Sequence, residues 1–310
     1  MATARENTSA NLSQEVSTYY DKVFLDRAEY QLIAKEGGQI RTHASGEGKT
    51  INFTRYVPLT VNLASGLITE GSNPLLCSIT ASTISVGLCE YGLTVQTTKF
   101  LSTISIDKGM AEKIALVGQH MGEYLNKLVL NELSNGTAAY ANGKNTSTYA
   151  ASDTFSASMI RGITQTLELN KAMEYPDGYF MGKVPPQAKY QLLGDSTWIA
   201  AKEYSDVKDL YKGEMGELYQ VRFLLNKDYT SAVGAASEAS VVAAFQTYIH
   251  GANAFGAYDL EGDKPRLYIL PNLVDSGSPA GRISKISWAG SYATKILNSD
   301  WVIVAKTPAS

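Results

Sequence analysis

Ile51, Phe53 and Arg55 alternate with Asn52, Thr54 and Tyr56, the period-two pattern of a half-buried strand, until Pro58 interrupts the run. A second stretch places Ile84, Val86 and Leu88 on one face. The apolar set then moves to Tyr91, Leu93 and Val95, which predicts a bulge or turn at residues 90–92. Across residues 51–98 the only charges are Arg55, Glu70 and Glu90, and Thr, Ser, Val, Ile and Leu dominate the rest. This composition favours strands and turns. It is too interrupted for a membrane span, which needs roughly 20 nearly continuous apolar residues. Such a segment needs apolar cover or a pairing partner, in its own subunit or in another.

The period changes at residue 107. Met110, Ile114, Val117, Met121, Leu125 and Leu128 recur every three or four residues, predicting a helix over 107–134 with Asp107 as N-cap and Asn135-Gly136 as stop. At 1.5 Å per residue it is about 40 Å long and reads as a spine. A looser segment, 134–154, precedes a second predicted helix at 156–174 that buries Ile160, Ile163 and Leu167. Tyr175-Pro-Asp-Gly178 is a turn. Beyond it a strand at 179–183, a Pro185-Pro186 break, a helix at 187–203 and strands at 220–225 and 241–249 form a mixed α/β unit. The tail returns to β character at 267–270, 283–288 and 301–304. At the other end, a polar arm leads into a short helical stretch at 19–36, closed by Gly37-Gly38.

Composition narrows the classes. A chain of 310 residues, 44% hydrophobic and 18% charged, can bury a large core in one or two domains. The net charge of −3 and the lack of a Lys/Arg run argue against non-specific nucleic-acid binding as the main task. The nineteen tyrosines suit a core, and also surfaces that end up between partners. Cys77 and Cys89 match neither a disulfide framework nor a zinc spacing and read as small buried or half-buried residues. The first eleven residues carry no signal-type apolar core, so the sequons at Asn7, Asn11, Asn52, Asn135 and Asn145 read as accidents of composition, and synthesis is expected inside the cell.

Candidate chemistry is sparse. Gly46-Glu-Gly48-Lys49-Thr50 approaches the end of a phosphate loop, but His43 stands where that loop needs a glycine, and the segment runs into a strand. It reads as a turn. His43, His120 and His250 have no Glu, Asp or Cys at metal spacing, and His120 is expected to play a hydrogen-bonded structural role on the long helix. Asp259, Glu261 and Asp263 alternate, but lack the glycine and closing glutamate of a calcium loop and read as a solvated turn. No Gly-x-Ser-x-Gly elbow occurs. No catalytic, cofactor-binding or metal-binding residue is expected, and the chain is not expected to be an enzyme.

The order of these parts resembles the major capsid proteins of tailed bacteriophages, and within them the podoviruses related to coliphage N-four. The resemblance rests on Gly48-Lys-Thr-Ile-Asn-Phe-Thr-Arg55, Leu67-Ile-Thr-Glu70-Gly71 with Pro74 behind it, and Tyr91-Gly92 before the long helix. It continues through Gly213-Glu-Met-Gly-Glu-Leu-Tyr-Gln-Val-Arg222-Phe, Gly251-Ala-Asn-Ala-Phe-Gly256 and Gly290-Ser-Tyr-Ala-Thr-Lys-Ile-Leu-Asn298 before Trp301, and so spans about residues 15–305. It implies an α+β fold of the Hong Kong 97 type: an N-terminal arm (1–45), an extended β-hairpin loop (46–78), a peripheral domain (79–175) on the spine helix 107–134, an axial domain (176–264), and a C-terminal return to the peripheral domain (265–310). It also implies a coat protein that self-assembles into hexamers and pentamers of an icosahedral shell around double-stranded DNA, in the virion, after assembly in the host bacterial cytoplasm. Scaffold, portal and possible decoration proteins are the implied partners, with no membrane and no cofactor.

The residues agree with that picture. An isolated two-stranded ribbon is marginal in water, and one laid over a neighbouring subunit gains pairing and burial together. Arg55, Tyr56, Leu67, Glu70 and Gly71 are the candidate inter-subunit contacts. Two other readings remain open at this point: a non-viral encapsulating shell of the same fold, and an intracellular α/β enzyme built on 176–264 with a β-rich dimerisation arm.

Overall fold

The structure, a computed structural model, describes residues 21–28, 32–44, 46–56, 77–104, 110–141, 153–198, 214–227, 244–270 and 280–308, with positions 59, 68, 70, 71 and 73. Thirteen strands follow in chain order. They are β1 (Gln39–His43), β2 (Thr50–Tyr56), β3 (Ala81–Gly87), β4 (Cys89–Thr98), β5 (Thr137–Tyr140), β6 (Phe180–Val184) and β7 (Glu214–Leu218). The rest are β8 (Val221–Leu225), β9 (Ala244–His250), β10 (Phe255–Leu260), β11 (Arg266–Leu270), β12 (Ile283–Ile296) and β13 (Val302–Pro308). Helices occupy Lys99–Ile104, Met110–Leu133, Ala157–Leu169 and Pro186–Leu193. None among the described residues is long and apolar enough to cross a membrane.

Two sheets and a ribbon account for all the strands. The first sheet runs β1-β10-β12-β11, with β4 on the far side of β12. The 14-residue β12 is its axis: β10 and β11 pair end to end along one edge and β4 runs along the other. The second sheet runs β5-β13-β9-β6-β8-β7, and among the described residues β2 and β3 pair only with each other.

The long helix buries Ile114, Val117, Met121, Leu125, Val129 and Leu133 at the predicted spacing. Its apolar stripe packs on Ile286, Trp288 and Tyr292 of β12, and on Tyr248, Val302 and Val304 of the second sheet. Residues of opposite parity on those strands, Ile249, Ile303 and Ala305, face a second core under the Ala157–Leu169 and Pro186–Leu193 helices. The second sheet is thus covered on both faces, which explains why β6 is buried at all five positions.

Several expectations are corrected. The ribbon does not close near Ser78: Ile84 and Val86 pair with Phe53 and Ile51, so its returning strand extends to Gly87. No bulge occurs at 90–92, where β4 keeps an unbroken register with β12. The change of apolar face instead marks the passage at Leu88 from ribbon to sheet. The second helix stops at Leu169, not 174, because Lys171 takes a left-handed φ of 51°. Pro186 is not a break but the first residue of its helix, where the missing N–H costs nothing. That helix ends at Leu193 rather than 203, and residues 199–203 lie outside the described set, as does Asp107. The 176–264 unit is not closed on itself. β10 leaves it for the first sheet, while β5 and β13 join its strands in the second. Pairing of β13 with β9, 52 to 64 residues away, and with β5, 166 residues away, overrides the local pattern here.

Gly290 shows how tightly the first sheet is built. The 261–265 connection between β10 and β11 passes over it, and a Cβ there would lie 2.4 Å from the Pro265 backbone. Ser291 holds that connection by donating from its N–H to the Asp263 carbonyl at 2.9 Å and from Oγ to the Asp263 carboxylate. Gly290→Ala is therefore expected to destabilise the subunit by about 2–3 kcal/mol, since backbone must move to admit the methyl. Thermal unfolding of the soluble subunit measures this.

Candidate assembly surfaces

The ribbon is anchored at its root and bare beyond it. Ile51, Phe53 and Leu260 pack with buried Val86, Leu88, Tyr258 and Ala293 on the face of the first sheet turned away from the long helix. The Phe53 ring stacks on Tyr258 at 4.8 Å, and Arg41 lies over the same Phe53 ring at 5.7 Å. Burial pushes the Tyr258 hydroxyl up to about 12, with Arg41 opposing the shift. Ser85 Oγ donates to Asn52 Oδ1 at 2.8 Å across the ribbon. Past Phe53 the cover ends: Tyr56 is 68% exposed, Ile79 69%, and Leu59 and Ile68 are exposed too. Apolar side chains at a protruding tip are the signature of a surface completed by something else.

The candidate contact residues fall on this projection. Arg55 and Tyr56 end β2 with exposed side chains, and Glu70 and Gly71 form an exposed turn in which Gly71 has φ 82°. That dihedral is cheap only for glycine. Leu67 lies outside the described residues. What sequence reading missed is a second bare surface next to the ribbon. Among the described residues no strand pairs with the outer edge of β4, and the helix that follows it exposes Phe100, Leu101 and Ile104. The signal was present as a ten-residue strand holding one charge.

The N-terminal turn is clasped from three sides. Ala34 N–H donates to Asn126 Oδ1 of the long helix at 2.7 Å, and the buried Lys183 Nζ donates to the Ala34 carbonyl. Tyr175 donates from its hydroxyl to the Gly37 carbonyl, with His250 Nδ1 3.3 Å away. Burial holds the Lys183 ammonium well below its ordinary value, and nearby Glu36 opposes this. Burial likewise lowers His250, reinforced by Lys183, and raises Tyr175. This polar knot joins arm, spine helix and second sheet.

The remaining residues singled out in the sequence are structural. His120 Nδ1 accepts from Trp288 Nε1 at 3.2 Å, as expected of a structural histidine. Gly46 and Gly48 take left-handed φ in a turn that leads into β2. The Asp259–Asp263 segment is not simply solvated: Asp259 meets Lys264 at 3.4 Å and Asp263 is held by Ser291. Cys77 and Cys89 are both exposed, contrary to expectation: Cys77 precedes β3 on the far side of the ribbon from its root, and Cys89 opens β4 at the edge of the first sheet. Among the described residues no group of three or more His, Cys, Asp or Glu is placed to hold a metal ion.

No family model and no curated protein matches the chain. Solved structures do. The capsid asymmetric unit of cyanophage Pam1 superposes with a TM-score of 0.68 at 13% identity, covering 93% of each chain. The capsid of Ralstonia phage GP4 gives 0.67 at 15% identity over 88% of this chain and 87% of that one. The capsid of cyanophage P-SCSP1u gives 0.65 at 11% identity over 90% and 89%. The fold is that of phage capsid subunits, the α+β Hong Kong 97-type fold expected from the order of the parts. It extends over nearly the whole chain on both sides of each comparison.

Proposed function

We propose that this chain is the major capsid protein of a tailed bacteriophage, a non-enzymatic coat subunit whose copies form the hexamers and pentamers of an icosahedral shell around double-stranded DNA. The observation that carries this is a near full-length capsid fold joined to a ribbon whose described outer residues Tyr56, Leu59, Ile68 and Ile79 are exposed. In this reading the first sheet and the long helix are the peripheral domain, the second sheet is the core of the axial domain, and residues 46–87 are the extended loop. Arg55, Tyr56, Leu67, Glu70 and Gly71 contact a neighbour within the ring, where Arg55 and Glu70 set register more than affinity. A ribbon that meets a different patch on the next copy is a heterologous contact, and such contacts close into rings. DNA is confined without sequence specificity, in keeping with the net charge of −3. Scaffold, portal and decoration proteins complete the assembly, which takes place in the bacterial cytoplasm and ends in the virion.

Deleting residues 58–72 tests this. The variant is expected to stay soluble with the circular dichroism of the intact subunit and to form no shells. Normal particles from it in electron micrographs contradict the proposal.

A further inference from the structure

β4 lies at the edge of the first sheet, and the direction of its outer hydrogen-bonding groups follows from its neighbours. Ser291, opposite Glu90 in the register, donates its N–H away from β4, to the Asp263 carbonyl at 2.9 Å. Lys99 N–H, one step past the strand, donates toward β12, to the Arg282 carbonyl at 2.7 Å. Antiparallel pairing alternates residue by residue, so Cys89, Tyr91, Leu93, Val95 and Thr97 bond to β12. Glu90, Gly92, Thr94, Gln96 and Thr98 turn their N–H and C=O groups outward. Among the described residues no strand pairs with them.

Natural sheets protect such an edge with charges, proline, bulges or a short strand. β4 is regular over ten residues and lacks proline, and from Tyr91 to Thr98 it carries no charge, so Glu90 at its start is its one such protection. Glu90 precedes this stretch and Lys99 follows it. A strand bracketed by opposite charges complements itself in antiparallel orientation. β4 is also continuous through Leu88 with the ribbon that meets neighbouring copies in the shell reading.

We infer that the outer edge of β4 pairs antiparallel with β4 of a second copy about a two-fold axis, with Thr94 opposite Thr94. The axis stands perpendicular to the sheet, so residues of the same parity face each other: Gly92 meets Gln96, and Glu90 meets Thr98 beside Lys99. Every outward N–H from Gly92 to Gln96 then finds a carbonyl. Leu93 and Val95, each a little over one-third exposed, become a cross-strand apolar pair. The two five-stranded sheets merge into one. This rests on the shell reading and adds to it a division of labour: the ribbon makes the heterologous contact within a ring, and β4 makes the isologous contact between rings.

Thr94 gives the test. Its N–H points away from β12, so Thr94→Pro removes one outward donor without breaking a bond inside the subunit. T94P is expected to keep the wild-type circular dichroism while particle yield falls about tenfold or more, as loss of a repeated contact worth at least 1.4 kcal/mol requires. T94D and T94K each set like charges against each other at the axis and are expected to fail alone. Co-expressing them brings opposite charges together and is expected to restore particles. Wild-type yields from all three variants, or no rescue in the mixture, overturn the pairing and leave the shell reading standing. Wild-type protein that never forms particles overturns the shell reading. Sedimentation then decides the pairing by itself, which predicts a dimer that T94P abolishes; a wild-type monomer, or a dimer indifferent to T94P, overturns it.

Discussion

Replacing Lys183 with alanine is expected to cost the soluble subunit about 3 kcal/mol, in two parts. The first is the cavity left by a long side chain packed at 1% exposure, with its ammonium 4.3 Å from the centre of the Phe255 ring. The second is the Ala34 carbonyl, which loses a buried donor; an unsatisfied buried acceptor costs about 1–3 kcal/mol. Lys183→Met separates them. It keeps most of the volume and the contact with Phe255, so its loss is expected to be about half as large. The same substitution alters the pH profile. The folded lysine titrates well below its ordinary 10.5, because burial disfavours the ammonium more than Glu36 favours it. Between the lowered value and 10.5 the unfolded chain binds a proton that the native state refuses, so stability rises with pH across that window. Glu36 shifts upward and His250 downward from 6.5, so both act on the acid side. Tyr175 and the other raised tyrosines act near and above 10, where the unfolded chain ionises first and stability falls. Urea unfolding at about pH 7 and about pH 9 should show wild-type stability rising and Lys183→Met nearly flat. Parallel profiles would mean that the ammonium is not held out of water by this knot.

Trp288→Ala is expected to be the most damaging single core change, at about 3–5 kcal/mol, lowering Tm by roughly 10 °C. Trp288 is 1% exposed and sits where β12 meets the long helix, with Tyr124 at 5.9 Å and His120 at 6.0 Å from its ring. Its Nε1 donates to His120, so truncation removes ring, contacts and hydrogen bond together. Trp288→Phe keeps most of the area and is expected to cost less than half as much. Calorimetry on the unassembled subunit measures both.

These two residues also mark how far the sequence could be read. The long helix was legible because Met110, Ile114, Val117, Met121, Leu125 and Leu128 recur every three or four residues, and no tertiary contact competes with it. The β2 alternation and the turn at 175–178 were legible for the same local reason. Lys183 was not: nothing in its own neighbourhood says that a carbonyl 149 residues earlier will meet its ammonium. Likewise β13 and β5 join the second sheet through partners distant in sequence, which no local pattern encodes. In the proposed contact region, Arg55 and Glu70 stood out because charge is rare across residues 51–98. The edge of β4 could be recognised only once β12 was known to occupy one side and nothing described the other. Its lack of charge had the same appearance as that of an interior strand.

The most direct measurement is cryo-electron microscopy of particles purified from cells expressing the chain, with their contents assayed. A phage coat subunit is expected to give closed icosahedral shells of hexamers and pentamers, with the 58–72 loop laid across the adjacent subunit of the same ring, and DNA-filled particles in phage-infected cells. Particles of the same form carrying only protein cargo would instead mark a non-viral shell, and a uniform small oligomer under all assembly conditions would contradict the shell altogether.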